Sequence, residues 1–72
     1  MAQNKIDEAI PTLEKAVAKT PNDVELLFGL GDAYFRAGRF ADAKTRLQAV
    51  VKEDPVGTYG RRAQEMLKHF PK

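Results

Sequence analysis

The stretch "GLGDAYFRAGRFADA", residues 29–43, places two glycines inside a run of helical periodicity. Each interior glycine costs a helix about 1 kcal/mol relative to alanine, so a packing reason is expected. Leu27, Leu30 and Tyr34 recur at i, i+3 and i+7 with Gly31 on the same face, while Phe40, Ala43, Leu47 and Val50 form a matching stripe beyond Gly38. Two helices joined by so short a turn pack antiparallel. Opposing Gly31 to Ala43 would let the two backbones approach closely, and this closeness offsets the propensity cost. Gly29 lies off the stripe, as a tolerated residue or a point of close approach. Gly38 suits the left-handed position that ends a helix.

Working outward, Pro21 and Pro55 stand 34 residues apart, and the same offset relates Ala9 to Ala43, Leu13 to Leu47 and Val17 to Val51. Residues 5–21 are therefore read as the same structural element as residues 39–55. The pattern predicts four helices. The first runs from Ile6 to Lys19, with an irregular start near Pro11. The second begins after Asn22, with Asn22 and Glu25 as a capping box, and ends near Ala37. The third covers Phe40 to Glu53. The fourth runs from Thr58 to Phe70, with Tyr59, Ala63, Met66, Leu67 and Phe70 on one face. The fold class is all-α, built of antiparallel helix pairs.

Composition narrows the chemistry. The 72 residues allow one small domain, and 43% apolar with 31% charged residues is a globular composition. Cysteine and serine are absent and His69 is the only histidine, which removes thiolate metal sites, the commonest nucleophiles and any histidine pair. The adjacent pairs Asp7–Glu8 and Glu53–Asp54 diverge on helices and fit neither a catalytic carboxylate couple nor a calcium loop. No enzyme activity, metal or cofactor is expected. No apolar run approaches the ~20 residues of a membrane span, "MAQNKIDEAI" holds no apolar block, and nothing in the residues names a compartment. The net charge of +2 is uneven, with residues 57–72 carrying four Lys/Arg against one acidic residue.

Leu27, Leu30, Gly31, Tyr34, Gly38, Phe40, Ala43, Leu47, Val50 and Pro55 together resemble the tetratricopeptide repeat pattern over one full repeat, Val24 to Gly57. Two positions depart from it: Leu27 stands where an aromatic is usual, and Val50 where alanine is common. The resemblance implies an α-solenoid in which residues 1–21 are the second helix of a preceding repeat, residues 22–56 a complete repeat and residues 57–72 a cap. Arg61, Gln64 and Glu65 replace the apolar residues and glycine that a further repeat would need. An array that begins in mid-repeat reads as part of a longer protein, with self-association through the uncovered first helix at Ile6, Ile10 and Val17.

The resemblance also implies a non-catalytic protein-interaction module. The first helix of each pair lines the inner surface, which here places Glu25, Phe28, Asp32, Phe35 and Arg36 where family members contact a bound peptide or partner helix. The competing reading is structural: Phe28 and Phe35 pack on the first or fourth helix, and Asp32 with Arg36 is an i, i+4 ion pair. Members that clamp a chaperone's C-terminal carboxylate use lysine and asparagine where this chain has Phe28 and Asp32, and the aspartate would repel that carboxylate. A second function class is a structural or recruiting segment of a larger enzyme or cochaperone. The third is a basic patch of Arg61, Arg62, Lys68 and Lys72, beside His69, for nucleic acid or another anionic surface. It ranks last, because an excess of three positive charges without exposed aromatics also fits a solvated face on which Arg61 pairs with Glu65.

Overall fold

A computed structural model describes residues 3–70 as four helices: α1 Gln3–Lys19, α2 Val24–Arg36, α3 Phe40–Glu53 and α4 Thr58–Lys68. The expected α3 boundaries are met. Helix α1 starts three residues before Ile6 and runs unbroken through Pro11, where an irregular start was expected. Pro11 removes an amide donor from the third turn. Both Pro11 and Asp7, whose carbonyl loses its partner, lie on the exposed face, so water can supply the missing bond.

Helix α2 starts one residue away from the expected cap. Asp23, not Asn22, has the extended backbone of an N-cap, and its carboxylate accepts from the amides of Glu25 (3.0 Å) and Leu26 (3.2 Å). The Glu25 side chain bonds to Tyr59 of α4, so no capping box forms. At the other end Gly38 takes φ +81°, as expected of a C′ glycine. The amide of Gly38 donates to the Phe35 carbonyl (3.1 Å) and that of Arg39 to the Tyr34 carbonyl (2.9 Å). Those two bonds form a Schellman motif and fold α3 back along α2.

The α2–α3 seam holds Leu30, Ala43, Leu47 and Val50, all with no exposed surface. Gly31 does meet α3 closely, but its neighbour is Leu47 rather than Ala43. A Cβ on Gly31 would lie 2.9 Å from Leu47 Cγ and Cδ2 and 3.5 Å from Arg46 Cβ. The register explains the correction. Residue 31 lies seven positions before Gly38, so the chain about seven to nine positions after it comes level, which is Arg46 and Leu47 rather than Ala43. Phe40, expected within the stripe, is 37% exposed at the end of the seam.

Helix α1 packs on α2 through Ile6, Ile10 and Val17, which are only 7%, 4% and 7% exposed. The three residues expected to lie uncovered, and so to drive self-association, instead belong to the core of the chain. The stripe 34 residues before Ala43, Leu47 and Val50, namely Ala9, Leu13 and Ala16, is half-buried instead. Leu13 covers Gly29, where an added Cβ would make an ordinary 3.7 Å contact. The Tyr34 hydroxyl donates to the Glu14 carboxylate, and the Arg39 guanidinium sits 4.6 Å from the Tyr34 ring centre. Burial first, and then the Glu14 carboxylate, raise the Tyr34 hydroxyl above its ordinary pKa of 10.0.

Helix α4 buries Ala63 as expected, and Gly60 in addition. The Asp54 backbone lies directly against Gly60, so a Cβ there would overlap the Asp54 carbonyl oxygen and approach its carbon to 2.7 Å. Tyr59, Met66, Leu67 and Phe70 pack on the core half-buried. The helix stops at Lys68, two residues short of the expected end. Among the described residues no helix is long and apolar enough to cross a membrane.

Candidate partner-binding groove

Helices α2 and α4 run side by side in the same direction. Near their N-terminal ends the Phe28 and Tyr59 rings lie 5.4 Å apart, and the Tyr59 hydroxyl donates to Glu25 Oε2 at 3.1 Å. At the other end Phe70, just past α4, meets Phe35 in the last turn of α2 at 5.0 Å and Phe40 at 6.0 Å, while Phe35 and Phe40 are 5.4 Å apart. The bond to Glu25, and the charge of that carboxylate, raise the Tyr59 hydroxyl above its ordinary pKa.

Between the two aromatic bridges lies an open groove of about 420 Å³, lined by Phe28, Asp32 and Arg36 of α2 and by Arg62, Glu65 and Met66 of α4. The spacing i, i+4, i+8 on one helix and i, i+3, i+4 on the other turns each set to a common face. From residue 28 to residue 36 the groove extends about 12 Å along α2. Phe28 and Met66 give it an apolar floor. Arg36 and Asp32 form an ion pair at 3.0 Å.

The proposed inner-face residues thus divide. Phe28, Asp32 and Arg36 line the groove; Glu25 and Phe35 form the bridges that bound it. The structural alternative for the phenylalanines is also realised, since Phe28 packs on Tyr59 of α4 and Phe35 on Phe70 just beyond it.

The basic residues separate as well. Arg62 faces the groove. Arg61 is exposed and does not pair with Glu65, contrary to expectation; Glu65 instead meets Lys68 and His69, each at 3.7 Å. An acidic residue placed N-terminal to its cation is the favoured order on a helix, and Arg61 lies on the wrong side of Glu65. Lys72 lies outside the described residues. Among those residues Arg62 has no carboxylate within 4.0 Å, and no cluster of three potential metal ligands occurs.

The sequence assigns none of Arg62, Glu65 and Met66 to the groove: Arg62 reads as part of a basic patch and Met66 as a core-face residue, and their i, i+3, i+4 spacing does not say which face of α4 meets α2.

A tetratricopeptide repeat family model matches residues 1–69, and the chain belongs to that family of helical repeats. Comparison with curated proteins and with solved structures gave no match. Tetratricopeptide repeats generally mediate protein–protein interaction, and the family is typically non-catalytic.

Proposed function

We propose that this chain is a non-catalytic module that binds a peptide or partner helix in the groove between α2 and α4, through Phe28, Asp32 and Arg36 together with Arg62 and Met66. The observation that carries the reading is the pairing of an apolar floor with charged walls in an open groove of about 420 Å³. A site of that kind grips one large apolar side chain and orients polar groups beside it. Glu25 and Phe35 act as the ends of the site. In this reading residues 57–72 cap the array. Arg61, Gln64, Glu65 and Lys68, which stand 34 residues after Leu27, Leu30, Gly31 and Tyr34, are all exposed and offer no apolar seam to a further helix.

The test selects peptides from a random library on the whole chain and titrates them against variants that keep their helical circular dichroism. Phe28→Ala and Met66→Ala should each weaken binding about tenfold, the effect of losing a contact worth about 1.4 kcal/mol, whereas Thr45→Ala on the exposed side of α3 should not. Selection of no binder, or binding indifferent to both groove variants, would leave the structural-segment reading instead.

A further inference from the structure

We infer that the groove selects a partner segment carrying a side-chain carboxylate next to its apolar anchor, and that Arg62 reads that carboxylate. This rests on the groove being the binding site and adds the chemistry of its occupant. Charge bookkeeping over the lining residues leads to it. Asp32 is satisfied by Arg36 at 3.0 Å, so the aspartate that would repel an anion is neutralised within α2. Glu65 is met by Lys68 and by His69, each at 3.7 Å. The four lining charges sum to zero, but Arg62 alone among them has no partner within 4.0 Å among the described residues, because Glu65 pairs with Lys68 outside the groove lining. Glu25, the next carboxylate along α2, keeps its charge but lies at the end of the groove, where it accepts from the Tyr59 hydroxyl.

A side-chain carboxylate fits better than a chain terminus. The groove is bounded at one end by the Tyr59 bridge to Glu25 and Phe28 and at the other by the contact of Phe35 with Phe70. A segment therefore lays side chains into it from above rather than threading along it. An apolar side chain seated on Phe28 and Met66 brings its neighbours over Arg62, whose planar fork can hold a carboxylate through two parallel hydrogen bonds.

The experiment uses the 72-residue chain and synthetic peptides with amidated C-termini, each a groove binder from the selection above remade with Glu, Gln or Lys at every position flanking its apolar anchor. Affinities are read by fluorescence anisotropy at low and high salt. At one or more flanking positions Glu should bind about two- to fivefold tighter than Gln, as an exposed ion pair allows, and Lys weaker than either. High salt should shrink that preference. Arg62→Gln should abolish that preference, so that Glu and Gln peptides bind the variant equally.

Equal binding of Glu and Gln peptides, or a preference that survives Arg62→Gln and disappears in Arg36→Gln, overturns the inference while the groove reading stands. Tighter binding of a single-stranded oligonucleotide than of any Glu peptide, lost in Arg62→Gln, also overturns it. If the peptides bind Phe28→Ala and Met66→Ala as well as the parent chain, the groove reading itself falls, and this inference with it.

Discussion

Gly29 and Gly31 are two positions apart on α2, and replacing each with alanine isolates the close approach of α2 to α3. Both lie inside the helix, so each change gains the same intrinsic propensity, about 1 kcal/mol. Their surroundings differ. A Cβ at residue 29 would meet only Leu13 Cδ2, at 3.7 Å, whereas at residue 31 it would lie 2.9 Å from both Leu47 Cγ and Cδ2. Leu47 has no exposed surface. Overpacking of a filled core costs about 1–3 kcal/mol. Gly29→Ala should therefore stabilise the protein by about 0.5–1 kcal/mol, and Gly31→Ala should fall between neutral and about 2 kcal/mol destabilised. The propensity gain cancels in the difference between the two variants, leaving the overpacking cost alone. For a domain of this size that difference is about 4–24 °C in Tm. Thermal and urea unfolding followed by far-UV circular dichroism measures it directly. Equal stabilisation by the two substitutions would show that Leu47 does not press on Gly31, and the account of the α2–α3 seam would fail.

Three further predictions test neighbouring features. Asp23→Ala should cost about 0.5–2 kcal/mol in urea unfolding, and Asn22→Ala should be near neutral, because only Asp23 caps α2. Gly60→Ala should cost about 3 kcal/mol, since its Cβ meets the Asp54 backbone, which cannot turn aside; the same change at Gly57 meets only the Asp54 carboxylate, which can rotate away, and should cost less in parallel melts. The raised pKa of Tyr34 means that the folded protein holds this proton more tightly than the unfolded chain does. Its contribution is complete below pH 10.0 and is lost as the pH rises through the higher folded value. Stability measured against pH should decline on the alkaline side, and Tyr34→Phe should flatten that decline.

Much of the fold was legible in the residues because it rests on local rules. The apolar stripes and the glycine at position 38 each describe an interaction within one helix or one turn, the 34-residue offset repeats that local pattern, and the Schellman bonds at Gly38 realise it. The cap of α2 slipped by one residue. Asn22 and Asp23 can both cap, and the backbone leaving Pro21 decides which of them takes the extended conformation. The groove was only half legible. Phe28, Asp32 and Arg36 share a visible stripe, but their partners Arg62, Glu65 and Met66 lie on another helix, about one repeat further along the chain.

The amino-acid order by itself determined four amphipathic helices, their approximate ends and their membership of a helical repeat, since helical periodicity and turn chemistry act over a few neighbouring residues. Tertiary structure alone decided that Leu47 rather than Ala43 covers Gly31, that Ile6, Ile10 and Val17 are core, and that Arg62 stands beside Phe28. Those placements depend on the rotation of each helix and the register set by three turns, and a shift of one residue swings a side chain by about 100° around its axis.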